Sequence, residues 1–164
     1  MSMLTNWGYS ITEADTIPNM MDYDEYATFT GREDNPYRVE AELFAACASI
    51  RNYVGWHLYP SESCRLEMLA SDRRVIYSGP DMLVQLPARY VQEVTAVTVD
   101  GTACGHYYAD TNGVLHVFDT KPYKRYAVIA IDYIAGLTDE IMAPIKELIA
   151  HRVTHAMAVP AGVT

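Results

Sequence analysis

The sequence predicts an α+β fold: a small helical bundle, made of two N-terminal helices plus a C-terminal helix, with a mostly antiparallel β-sheet inserted between them. Three observations predict it. Between an Asn35-Pro36 pair and Gly55, apolar residues recur at three- and four-residue steps. Beyond Trp56 the pattern changes to short runs rich in Val, Ile, Leu and Tyr, separated by turn residues. After Gly136 the helical period returns and holds nearly to the end.

The N-terminal elements come first. Residues 1–18 mix polar residues with Gly8 and Pro18 without any period, so they are expected to form an N-terminal arm that stays loosely attached until a partner orders it. From Asn19 to Thr30, Met20, Met21, Tyr23, Tyr26, Ala27 and Phe29 permit a short helix that Gly31 ends. A GREDNP linker resets the chain. Asn35 then caps a long helix, Pro36 suits its first position, and Glu40 and Glu42 complement its positive end. Val39, Leu43, Ala46, Cys47, Ile50 and Val54 form one stripe that other structure must cover, and Cys47 reads there as a small buried hydrophobe.

The strand runs are CRLEML, RRVIY, MLVQL, YVQEVTAVTV, HYYAD, VLHVF and RYAVIAIDYIA. Asp100-Gly101 and Asn112-Gly113 are hairpin signals, because both dipeptides tolerate the positive φ angles of tight turns. In the last run Ala127, Ile129, Ile131, Tyr133 and Ala135 share one face, and Tyr126, Val128, Ala130, Asp132 and Ile134 the other. Such a strand is expected to be central and covered on both sides except near Asp132. Gly136 breaks it, Thr138 or Asp139 caps the final helix, and Pro144 belongs in that helix's first turn. Ile145, Leu148, Ile149, Arg152, Val153 and Ala156 are expected to form its inner stripe, with residues 157–164 as a short tail.

Composition bounds the function. At 164 residues and 50% hydrophobic, the chain reads as one domain, 1–164, able to bury a continuous core. Three widely spaced cysteines, Cys47, Cys64 and Cys104, form neither a disulfide framework nor a zinc knuckle and point to synthesis in a reducing compartment. The N-terminus lacks a signal-peptide pattern, and no apolar run approaches the roughly 20 residues that span a bilayer. A net charge of −9 disfavours tight DNA binding, and the basic clusters Arg73-Arg74 and Lys121 to Arg125 are too short for a nucleic-acid groove. The same acidity suits a surface that DNA slides past.

Residues that carry chemistry are sparse. His151 and His155 stand four apart on the last helix, yet HRVTH lacks the general-base Glu of a HExxH zinc site, so they read as helix-surface or interface residues. Asp22, Asp24 and Glu25 begin like a calcium loop but lack its glycine and distal Glu, and read as an acidic helix start. Ser61, Ser63, Ser71 and Ser78 sit in no nucleophile elbow, and the nine glycines form no phosphate-cradling loop. Neither a cofactor nor a catalytic or metal site is expected. Thirteen tyrosines against three phenylalanines suit surfaces that become buried on assembly.

Four segments, in order, resemble the head-tail connector (head-completion adaptor) family of tailed phages and prophages. ACASIRNYVGWHL, with Gly55, is similar to that family's second helix and its aromatic-x-Gly close. QLPARYVQEVTAVTVDG resembles its Leu-Pro element, Val-rich strand and turn, with Leu86, Pro87, Val94, Val97, Val99 and Gly101 at matching places. IAIDYIAGL is similar to its strand closing on Tyr-x-Ala-Gly, here Tyr133, Ala135 and Gly136, and APIKELIAHRVTHAM resembles its closing helix, entered through Pro144. Together they cover about residues 20–156.

The resemblance implies a non-enzymatic structural virion protein in the phage neck, made in the host cytoplasm. It implies a homo-oligomeric ring, typically a dodecamer, that docks under the portal protein, binds the next neck or tail-completion protein, and extends the DNA channel. DNA would pass its lumen without specific binding, and no membrane is involved. The alternatives are a tail-completion (stopper or terminator) neck protein and a small metal- or ligand-binding domain using His151, His155 and Asp132.

Overall fold

In the computed structural model, which describes residues 3–4, 9–11, 17–119 and 124–159, the helices begin and end where capping chemistry places them. Asp22 opens α1 (Tyr23–Thr30) with a capping box: its carboxylate accepts from the Glu25 amide, and Glu25 accepts from the Asp22 amide. Asn35 accepts from the Arg38 amide to open α2 (Pro36–Val54). Gly31 and Gly55 close these two helices in left-handed conformations. α3 (Asp139–Ala158) starts without a side-chain cap; its first turn rests on backbone bonds to the Thr138 carbonyl, with Asp139 and Glu140 at the positive end of the dipole.

Between α2 and α3 the chain forms β3 (Glu62–Leu69), β4 (Val75–Ser78), β5 (Asp81–Gln85), β6 (Val91–Val99), β7 (Thr102–Ala103), β8 (Tyr107–Ala109), β9 (Val114–Val117) and β10 (Val128–Ala135). Two short strands precede α1: β1 (Met3–Leu4) and β2 (Ser10–Ile11). The architecture is therefore α+β, with the sheet structure inserted between helices as the sequence predicts. It differs in one respect: the strands divide into two antiparallel sheets, ordered β1-β2-β3-β10-β6-β7 and β4-β5-β9-β8. Asp100 and Gly101 both take positive φ and turn β6 into β7, whereas the β8–β9 turn is built on the Asp110 carboxylate, which accepts from the Asn112 and Val114 amides.

One core lies between the two sheets, where Leu66, Val97, Ile129, Ile131 and Tyr133 meet Met82, Val84, Leu115 and Val117. A second lies among the helices, around Met20, Tyr26, Leu43, Cys47, Met142, Ile149 and Val153. Trp56 packs against both.

Five expectations need correction. Within the supposed arm, Tyr9 and Ile11 are buried and β2 pairs with β3, so that part of the chain belongs to the sheet; its apolar contacts are too few to show a period. Residues 5–8 and 12–16 lie outside the described residues, as do 160–164 of the expected tail, while Met157 and Ala158 complete α3. β10 is central, but its second face is only partly covered: Ala130 is buried, Tyr126 and Val128 are exposed, and Asp132 and Ile134 are half-buried. Pro144 is the sixth residue of α3 rather than part of its first turn, and it lies on the exposed side, where water can meet the carbonyl left without a donor. Leu148 and Arg152 also face outward, since Met142, Ile149, Ala150 and Val153 form the buried stripe.

Candidate interaction surfaces

The family-like residues are packing and corner residues. Tyr133 pairs directly with Val94, and Ile131 with Val97, across the β10–β6 ladder. Leu86 and Ala135 are buried, Pro87 follows β5, Gly101 makes the β6–β7 turn, and Gly55 ends α2. Gly136 sits where β10 leaves the sheet, and a Cβ there would lie 2.6 Å from Ser61 Cα and 3.0 Å from the Pro60 carbonyl oxygen. Gly136 and Gly55 thus flank the segment that joins the two cores. Pro144 stands apart from the others on α3.

That junction holds two buried polar side chains the sequence did not reveal. Arg51 is 4% exposed and donates to the carbonyls of Pro18 and Tyr59. His57, 1% exposed, places Nε2 against the Pro60 carbonyl, while its amide donates to the Tyr9 hydroxyl. Burial pushes the His57 pKa down to about 4, against the pull of the Pro60 carbonyl and with help from the Arg51 charge. Arg51 continues the α2 stripe one turn beyond Cys47, so its inward position was legible from spacing; its charge is what hid it.

The remaining chemical candidates are separated. His151 and His155 are exposed on α3, and among the described residues no group of three His, Cys, Asp or Glu could hold a metal ion. Asp22 and Glu25 serve the α1 cap, with Asp24 exposed in the first turn. Cys47 and Cys64 are buried; burial raises both thiols, that of Cys64 to about 12, which removes them from nucleophilic chemistry. Cys104 is half-buried. Ser78 lies at the β4–β5 hairpin. The part of the Lys121–Arg125 cluster before Lys124 lies outside the described residues.

Four exposed surfaces stand out among the described residues. A groove of about 450 Å³ runs between α1 and α3, floored by Met21, Phe29 and Ala143 and edged by Asp22, Asp24, Glu25 and Asp139. Lys146 crosses it, 2.6 Å from Glu25 and 4.5 Å above the Tyr59 ring. On the outside of the six-stranded sheet, Arg65 Nη1 donates to both carboxylate oxygens of Asp132, an ion pair across β3 and β10. The outer side of α2 carries Tyr37, 85% exposed, and Phe44, 62% exposed, seven residues apart, with Ala41, Ala45 and Ala48 around them.

The fourth surface is the outer face of the four-stranded sheet. Ladder register aligns Ile76, Leu83, His116 and Tyr108 in one row across β4, β5, β9 and β8. Ile76 is 61% and Tyr108 51% exposed; Tyr108 stacks on His116 at 4.5 Å and lies 5.9 Å from Phe118. Leu83, His116 and Phe118 line a shallow hollow of about 180 Å³ with Ser78 and Asp81 at its edge. Sequence alternation in HYYAD and VLHVF marks the residues of this face, but only strand order makes them neighbours. No protein-family model and no curated protein matches the chain. Among the described residues no helix is long and apolar enough to cross a membrane.

Proposed function

We propose that this chain is a non-enzymatic structural subunit of a tailed-phage particle, a head-tail connector that assembles into a ring beneath the portal. The observation that carries this reading is the pair of exposed apolar surfaces of unlike kind on one chain: the helical stripe of α2 and the cross-strand row of the four-stranded sheet. A closed ring of identical subunits needs such a pair, because each copy meets its two neighbours through different patches. The four family-like segments support the assignment through their order, since they supply a helix end, the strand β6 with its turn, a strand-to-helix corner and a closing helix. A net charge of −9, multiplied around a ring, suits a channel that DNA traverses without adhering.

In this reading the portal and the next neck protein occupy opposite ends of the ring, the channel is extended without cofactor or catalysis, and the protein resides in the virion neck after synthesis in the host cytoplasm. Electron microscopy of assembled particles tests it, together with mass photometry of the purified chain mixed with the portal protein of the same particle. The expected result is a ring at the portal's lower face. A chain that remains monomeric with portal and is absent from particles overturns the proposal.

A further inference from the structure

The groove between α1 and α3 does not end at Phe29. Beyond that ring, which is 54% exposed, a second hollow of about 500 Å³ continues between the same helices, lined by Thr30, Arg32, Ala150, His151 and Thr154. Asp139, Ala143, Lys146, Ala150 and Thr154 recur at three- and four-residue steps, so one face of α3 walls both hollows. Ala143 in the first hollow and Ala150 in the second stand about 10.5 Å apart along the helix axis.

That interval selects the shape of an occupant. Side chains two helical turns apart, at i and i+7 on one face of another helix, are separated by the same distance of about 10.5 Å. A helix lying alongside α3 can therefore set one in each hollow, with Phe29 between them. In an extended strand, same-face side chains lie about 6.6 or 13 Å apart, and neither interval fits.

Charge selects the composition. Four carboxylates, Asp22, Asp24, Glu25 and Asp139, edge the first hollow against one ammonium, that of Lys146. Asp22 is engaged in the α1 cap, and Glu25 by that cap and by Lys146. Asp24 has no hydrogen bond or ion pair among the described residues, and Asp139, which accepts from the Tyr59 hydroxyl, keeps 83% of its side chain exposed. Lys146 shows what such a site holds, its ammonium lying between Glu25 and the face of the Tyr59 ring. In the second hollow Arg32 is already paired with Asp34, so the call for cations is confined to the Asp24–Asp139 end. A second copy of a chain that carries −9 is repelled there, whereas a basic partner is drawn in.

We propose that this groove docks an amphipathic helix of a different protein, one with apolar side chains at i and i+7 and with Lys or Arg at the end that meets Asp24 and Asp139. The contact needs neither ring closure nor a phage neck, so it goes beyond the connector reading.

Selection from a random library of peptides of about 16 residues, four to five helical turns, on the full-length chain tests it, followed by fluorescence anisotropy of the selected peptides. The expected winners carry Lys or Arg at one end and apolar residues at helical spacing, become helical on binding, and lose affinity as salt rises. They should bind Asp24→Lys and Ala143→Arg variants about ten-fold more weakly or worse. Asp24 and Ala143 are both exposed, so circular dichroism of the two variants should match that of the native chain. Winners without basic residues, winners that bind in extended form, winners that hold either variant as well as the native chain, or a library that yields no binder overturn the proposal. Binding of a cationic helix here by a chain absent from phage necks removes the connector reading and leaves this groove standing. A neck ring whose groove takes no such helix does the reverse.

Discussion

Acidification should weaken this fold through one buried group, His57. Its ring lies where the helical and sheet cores meet, Nδ1 has no hydrogen-bond partner among the described residues, and Arg51 places a positive charge nearby. Burial lowers its pKa from 6.5 to about 4. Above the unfolded value the ring is neutral in both states and contributes nothing to the pH dependence. As pH falls from 6.5 toward 4, the unfolded chain takes up a proton that the folded chain refuses, so stability drops. At 1.36 kcal/mol per unit the loss approaches about 3 kcal/mol and then levels off below the folded pKa, a large part of the roughly 5–15 kcal/mol typical of a domain. Asp34 and Asp72, held low by hydrogen bonds from Arg32 and Arg74, lose their contributions below the usual carboxylate range, so the His57 window lies above theirs. Urea unfolding at stepped pH, on the native chain and on His57→Gln, reads the effect as a difference in slope, independent of any uniform destabilisation by the substitution. Identical slopes, or a His57 ring that titrates near 6.5 in the folded chain by NMR, would refute the reasoning.

Three further substitutions sort packing from surface electrostatics. Gly136→Val should sharply reduce soluble yield, because its side chain enters backbone at Ser61 and Pro60 that cannot move without shifting the junction; unchanged yield and thermal midpoint would contradict that. Leu43→Ala, at a fully buried site in the helical core, should cost roughly 2–5 kcal/mol in chemical denaturation. Asp132→Asn should cost less than about 1 kcal/mol, since the Arg65–Asp132 pair is partly solvent-exposed, and its effect should shrink in high salt.

Local chemistry made much of the fold legible. The Asn35 cap and Gly55 bound α2 as read, Gly31 ends α1, the seven strand runs fall on β3, β4, β5, β6, β8, β9 and β10 while β7 had no run, and Ala127 to Ala135 bury the alternating face that spacing assigns to them. Each of these depends on neighbours within a few residues. The candidate surfaces were less legible. Tyr37 and Phe44 recur at a helical interval that sequence displays, but their exposure comes from α3 and α1 covering the opposite side of α2. Tyr9 and Ile11 were misplaced because two apolar residues make no pattern; β3 and the Tyr133 ring, 6.4 Å from Tyr9, hold them.

The sequence by itself determined the α+β class, the helix ends, the hairpin at Asp100-Gly101 and the apolar face of β10, because capping, turn geometry and side-chain periodicity act over a few residues. Only the tertiary structure decided that the strands form two sheets, that Arg51 and His57 are enclosed between two cores, and that Ile76, Leu83, His116 and Tyr108 stand in one exposed row. Those outcomes depend on which distant segments pair and which faces remain uncovered, and burial is a property of the whole assembly of elements rather than of any one of them.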